Sequence, residues 1–271
     1  MKAGSILPLA AALIALALGA CQSAERRESL VYVERPVEAL FNRAAEELDT
    51  YDYEEAILYF NEVERQHPYS EWARRATLMT AFAHYRARQY DDAVGVAQRY
   101  ISLHPGTEGA AYAYYLVGVS YFEQIVDVGR DQKTTELTRA ALTDVVRRFP
   151  ESEYAKDAAL KLDMVRDQLA GKEMEIGRWY LRRNEHLAAI NRFRTVVEDY
   201  DGTSHVPEAL HRLVESYLSV GLRGEAQAVG ATLGYNFPNS DWYEDTYALL
   251  TSEGIAVKGE QPREGWLSRI F

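Results

Sequence analysis

One short phrase returns along this chain. A repeated phrase restricts a fold more than any local pattern does, because each copy must stack on the next to bury its apolar face. Pro68-Tyr-Ser-Glu-Trp72 comes back as Pro105-Gly-Thr-Glu-Gly109, Pro150-Glu-Ser-Glu-Tyr154 and Pro238-Asn-Ser-Asp-Trp242. A fifth copy, Asp201-Gly-Thr-Ser-His205, lacks the proline and the acid. Chemically the phrase is a helix stop followed by a helix start. Proline cannot continue the helix before it, and the Ser or Thr two residues later is a natural N-cap for the next. The acid that follows suits the positive end of that helix.

Inside each unit small residues keep phase with the phrase. Twelve before the closing position stand Ala56, Ala93, Thr138, Ala189 and Ala226; eight before it stand Phe60, Ala97, Leu142, Phe193 and Gly230. Near the centre of each first helix lie Ala44, Ala81, Gly118, Gly177 and Val214, with Glu47, His84, Tyr121, Tyr180 and Tyr217 three residues on. This rhythm resembles the tetratricopeptide repeat, a helix–turn–helix unit of about 34 residues. Closing positions are 37, 45, 51 and 37 residues apart. The eight extra residues of the third unit fall in the polar stretch Ile125–Lys133, where a loop absorbs any length. The fourteen extra of the fourth fall in an unbroken helical pattern between Pro150 and Gly177. Fourteen residues are about 3.9 turns, roughly 21 Å of added helix, which keeps its faces in register. After Pro238, Ser240 opens one more helix, to about Leu250. The expected fold is all-α, a tetratricopeptide-repeat solenoid of five helix pairs over 37–250 with a C-terminal capping helix.

Charge and missing motifs narrow the chemistry. Thirty Lys and Arg face 41 Asp and Glu, a formal charge of −11, and no basic patch offsets it, so nucleic acid is not an expected partner. One Cys excludes a disulfide framework and a Cys-rich zinc site. No phosphate loop, dinucleotide fingerprint, HExxH or nucleophile elbow occurs. The six His are scattered, and His67 and His104 each precede a closing proline, a structural place. Asp199-Tyr-Asp201-Gly202 reads as a turn rather than a calcium loop. No catalytic residue, metal site or cofactor is expected.

Ile6–Leu18 is a 13-residue apolar run behind Lys2, too short to span a bilayer but the right length for a secretory signal. Leu18-Gly19-Ala20-Cys21 then resembles a bacterial lipobox. That resemblance implies removal of residues 1–20 and lipid on the thiol and amine of Cys21, with several acyl chains giving a firm anchor. Gln22 replaces the Asp that resembles an inner-membrane retention signal. Residues 21–36 read as a polar tether. In the tail, 251–271, Trp266, Leu267, Ile270 and Phe271 are out of character for solvated chain. Either they fold back on the repeats or they dock a partner.

The lipobox, the five repeats, the loop in the third and the long helix in the fourth together resemble the BamD (ComL) family, lipoproteins of the outer-membrane β-barrel assembly machinery. Tyr114-Tyr-Leu-Val-Gly118, Gly129-Arg-Asp-Gln132, Phe149-Pro-Glu-Ser-Glu-Tyr154 and Ala189-Ile-Asn-Arg192 carry the likeness. It covers about 18–250. The resemblance implies a non-enzymatic protein, lipid-anchored at the periplasmic face of the outer membrane. Implied partners are the periplasmic domains of the barrel-forming assembly protein, other assembly lipoproteins and unfolded outer-membrane protein clients.

Tetratricopeptide proteins bind through positions of each first helix. Carried over, these give a client groove of Phe41, Arg75, Leu78, Phe82, Tyr85, Tyr112 and Tyr115, with Arg75 facing a terminal carboxylate. The same side chains also suit plain packing between repeats. Family similarity assigns Arg192 to docking of the barrel-forming partner, against an internal pair with Glu198 or Asp199. The runner-up function is a periplasmic repeat scaffold that coordinates cell-wall synthesis with envelope constriction, which ordinarily lacks the lipid anchor. Mass spectrometry of the mature protein is expected to show an acylated N-terminal Cys21; an unmodified N-terminus elsewhere contradicts the lipobox.

Overall fold

The computed structural model describes residues 33–127 and 130–256. Cys21, the leader and the Trp266–Phe271 cluster lie outside the described residues. Among those described there are eleven helices and no strand. They run as α1 (Val37–Asp49) and α2 (Tyr53–Gln66), α3 (Glu71–Arg86) and α4 (Tyr90–Leu103), α5 (Ala110–Phe122) and α6 (Lys133–Arg148). Then come α7 (Glu153–Arg182) and α8 (His186–Asp199), α9 (Val206–Ser219) and α10 (Arg223–Asn236), and a last helix α11 (Asp241–Ser252). This is the expected all-α tetratricopeptide arrangement of five pairs and a cap. The third unit's extra residues fall between α5 and α6. The fourth unit's make α7 a 30-residue helix.

The chain divides into two compact units, one up to Ala76 and one from Thr77 onward. In the first, α1 and α2 pack on each other around Leu40, Ala44, Ala56, Phe60 and Val63. The end of the stretch expected as a tether is held: Arg35 N donates to Gln66 Oε1 at 3.0 Å, Gln66 Nε2 donates to the Val33 carbonyl at 3.0 Å, and the His67 ring meets the Arg35 carbonyl at 2.9 Å. In the second unit a continuous core runs from Met174 through Phe193, Leu210, Leu213 and Leu233 to Leu250. Smaller clusters around Leu116 and Leu142 precede it.

The stop–start phrase works as expected at three of its five places. Ser70, Ser152 and Ser240 accept the backbone N–H of Ala73, Ala155 and Tyr243 at 3.1–3.2 Å. Thr107 and Thr203 do not cap. Their helices start later, at Ala110 and Val206, behind Gly109 and His205, so the Thr side chain lies outside the first turn. Each instead donates backwards, to the carbonyl of His104 at 2.9 Å and of Tyr200 at 2.8 Å. The turns inside four of the five pairs share a device that the sequence hides. Tyr51, Arg88, Asn184 and Gly221 all have φ between 60 and 83°. The next N–H returns to the carbonyl five residues back, as in Asp52 to Glu47 at 2.9 Å and Leu222 to Tyr217 at 2.8 Å. This is the Schellman closure.

The phased small residues are where helices touch. All five positions twelve before the close have 0 % exposure. A Cβ on Gly118 would collide with Leu142 Cδ2, and one on Gly177 would lie 2.5 Å from Phe193 Cε1. Leu142 and Phe193 are themselves fully buried, so neither ring nor methyl has water to swing into. Gly95, on the exposed side of α4, has nothing within 4 Å of its would-be Cβ. The same substitution is therefore expected to act with opposite signs. By calorimetry Gly95→Ala should stabilise by about 0.5–1 kcal/mol through helix propensity. Gly177→Ala should destabilise by about 1–2 kcal/mol, the overpacking cost exceeding that gain. Equal shifts at both sites would contradict the packing described.

Candidate functional site

The sequence-derived groove residues fall on first helices, and each is described within its own unit. In the first unit Phe41, on α1, is half-buried and makes an edge contact with Phe60 at 5.3 Å and a tilted one with Trp72 at 4.9 Å. Arg75 is exposed, its guanidinium 5.6 Å from the centre of the Trp72 ring. It is held over an aromatic face by cation–π attraction.

In the second unit the remaining five residues form a ladder. Phe82 on α3 meets Tyr112 on α5 at 6.4 Å, and Tyr112 meets Tyr154 on α7 at 5.1 Å. Tyr115, one turn along α5, meets the same Tyr154 at 5.3 Å. Leu78 and Tyr85 pack beside them. All are half-buried: one face of each ring packs on a neighbour while part of the side chain stays open. This is intermediate between the two readings that the sequence allowed, core filler and binding face. Tyr154 was missed, although its signal is plain. It holds in the fourth repeat the phrase position that Trp72 and Trp242 hold in theirs.

Polar groups edge the ladder. The Tyr115 hydroxyl donates to Asp157 Oδ2 at 2.5 Å, and Asp157 pairs with Lys161 Nζ at 2.8 Å. Lys161 also lies 5.5 Å from the centre of the Phe122 ring. Tyr85 reaches Glu123 at 3.5 Å, and Arg86 sits 5.6 Å over Phe82. Burial first, then the Asp157 hydrogen bond, pushes the Tyr115 hydroxyl well above its ordinary value; burial does the same for Tyr112. Burial works against the Asp157 charge, yet hydrogen bonds from Lys161 and Tyr115 hold that carboxyl below its ordinary value. At neutral pH the strip is therefore neutral phenols with one fixed ion pair at its edge. It offers broad apolar faces and few directional demands.

Arg192 lies on α8. Its partner is neither Glu198 nor Asp199: Nη1 donates to Glu173 Oε2 on α7 at 3.1 Å. Glu198 is taken by Arg194 at 3.2 Å, one turn away on the same helix. Positions 192 and 198 or 199 are six and seven residues apart, whereas helical ion pairs favour three or four. Facing residues of the neighbouring helix come closer, and sequence spacing does not show them. The Arg192 side chain remains 42 % exposed.

Among the described residues no helix is long and apolar enough to cross a membrane. No group of three His, Cys, Asp or Glu is placed to hold a metal ion among them.

Comparison with known proteins places the chain in a family. The family model YfiO, described as an outer membrane lipoprotein, matches residues 33–233. A Caulobacter vibrioides protein named outer membrane protein assembly factor BamD is 56 % identical over 257 residues, 95 % of this chain and 84 % of that protein. A Rickettsia prowazekii protein of the same name is 44 % identical, covering 88 % of this chain and 93 % of its own. Among solved structures, a thermophilic TPR protein of Thermus thermophilus is 17 % identical with a TM-score of 0.38, covering 80 % of this chain and 100 % of that one. The chain belongs to the YfiO family of outer membrane lipoproteins.

Proposed function

We propose that this chain is a non-enzymatic assembly factor for outer-membrane proteins, anchored by lipid on Cys21 at the periplasmic face of the outer membrane. It docks the periplasmic domains of the barrel-forming assembly protein through a surface containing Arg192, beside other assembly lipoproteins. Its half-buried aromatic strip takes unfolded clients. The strip is the observation that carries this reading, on a chain whose relatives are named assembly factors. Phe82, Tyr112, Tyr154 and Tyr115 form a run of ring faces across three first helices. Such a run accepts an apolar strand without fixing its sequence, because ring contacts tolerate many side chains. A weak, tolerant site suits a protein that must release many clients. Phe41 and Arg75 supply a second aromatic-and-cation pair in the N-terminal unit. A bidentate guanidinium such as Arg75 suits a terminal carboxylate.

The Arg192–Glu173 pair gives docking a clean test. Arg192→Glu sets two carboxylates against each other and removes the cation offered to a partner. It should cut co-purification with the barrel-forming partner about tenfold, the effect expected of a lost interfacial charge pair. Its cost in stability should be at most about 1 kcal/mol, as for a half-exposed ion pair. The swap Glu173→Arg with Arg192→Glu should restore the melting curve but not the co-purification. Recovery of both would show that Arg192 acts only inside the chain. For the strip, Phe82→Ser with Tyr115→Ser should lower cross-linking of client C-terminal peptides about tenfold, since each ring contributes about 1 kcal/mol. Partner co-purification should stay intact. Unchanged client cross-linking would contradict the assignment.

A further inference from the structure

The short segment ahead of α1 is gripped by its backbone. The side-chain amide of Gln66, at the end of α2, accepts from Arg35 N and donates to the Val33 carbonyl, both at 3.0 Å. His67 Nε2 donates to the Arg35 carbonyl at 2.9 Å. All three contacts fall on the main chain of 33–35. The grip is braced from behind: Gln66 Nε2 also donates to Glu62, a buried carboxylate of α2, and Arg65 Nε donates to Glu62 Oε2 at 2.7 Å. On the other flank Ser70 Oγ, which caps α3, donates to the His67 carbonyl at 2.8 Å. This grip fixes where the chain enters the first unit. Val33 is held at the end of α2, which is also the end where α1 starts and where Pro68-Tyr69-Ser70 lies. The Tyr51 turn lies at the other end, one helix length away; α1 has 13 residues, about 20 Å. Each end exposes a tyrosine. Tyr69 is fully exposed at the first, and Tyr51 at the second leans on Tyr53 with ring centres 6.3 Å apart.

We propose that the edge carrying Val33 and Tyr69 is the membrane-facing surface of the first unit, its partner being the lipid headgroup layer. The inference rests on the membrane anchoring proposed above, and it holds for any attachment upstream of Val33. Cys21 stands twelve residues before Val33, at most about 40 Å of extended chain. That length bounds how far the gripped edge can stand from the bilayer. A pull on the chain acts on the Gln66 and His67 hydrogen bonds, so it turns this edge toward the bilayer and the Tyr51 turn away. Without the grip the free chain would run on to Val37, where α1 begins, and its direction would not be fixed. Tyr69 suits the place. A tyrosine joins an apolar ring to a polar tip, the combination that settles at the boundary of lipid and water. Because the grip reads backbone, the side chains of 33–35 stay free to meet headgroups; that of Val33 is exposed.

The test uses the protein extracted from membranes with its natural N-terminus and reconstituted in phosphatidylethanolamine–phosphatidylglycerol vesicles that carry an acceptor dye on a headgroup. A donor dye is attached through p-acetylphenylalanine in place of Tyr69 or of Tyr51. Transfer from position 69 should exceed transfer from position 51 about twofold or more, given about 20 Å between the two ends. Gln66→Glu sets a carboxylate against the Val33 carbonyl and Glu62, and should shrink that ratio toward one. Arg35→Pro removes the N–H that Gln66 accepts and alters no helix, so it should do the same and guards against a folding defect in the first variant. Equal transfer from the two positions in vesicle-bound protein, greater transfer from position 51, or a ratio unmoved by both variants would each overturn the proposal. Protein that washes off the vesicles in carbonate would overturn the anchoring, and the proposal with it.

Discussion

Leu142 and Phe193 fill space that a single methyl group on Gly118 or Gly177 would claim. That close approach sets how near the two helices of a pair can lie, and the rest of the packing follows from it. Where the first helix carries glycine, the second supplies a large side chain. In the fifth pair the order reverses, with Val214 opposite a phase position held by Gly230, whose open side is filled by Leu250 of the cap. The exchange of size is not general, since the second pair has alanine at both positions, Ala81 and Ala97. The rings of the first helices pack against the edges of these clusters rather than wholly within them. Phe82, Tyr112, Tyr115 and Tyr154 stay half-buried and available.

The long α7 turns this regular packing into a protein with two faces. Its N-terminal half packs with the third repeat and its C-terminal half with α8. An insertion of nearly whole turns preserves the small-residue register at Gly177 while adding length. On one side Tyr154, at its first turn, continues the aromatic ladder. On the other, Asp163 lines a cleft with Asp199. Glu173, farther along the same helix, holds Arg192 in place.

The repeat boundaries, the loop in the third unit, the 30-residue helix and the buried small positions could all be read from phasing, because steric periodicity is written directly into residue size. Capping was only partly legible. Ser70, Ser152 and Ser240 cap, whereas Thr107 and Thr203 sit in the same phrase but are followed by helices that begin later. The Schellman turns at Tyr51 and Arg88 left little trace, since only Gly221 and Asn184 are residues that a positive φ favours. The partner of Arg192 was illegible for a different reason. It lies nineteen residues away on a facing helix, a distance that local spacing rules do not reach. Tyr154 stands four residues after Pro150, at the phrase position of Trp72 and Trp242, which the carried-over groove positions do not include.

The central claim is that the aromatic strip is a binding face supported by, but separate from, the small-residue core. Nuclear magnetic resonance on protein with labelled Phe and Tyr side chains, titrated with a peptide matching an outer-membrane client's C-terminal strand, tests it most directly. The account predicts shifts at Phe82, Tyr112, Tyr115 and Tyr154, with Phe60, Phe193 and Tyr217 unmoved. Shifts confined to other rings, or none at saturating peptide, would contradict it.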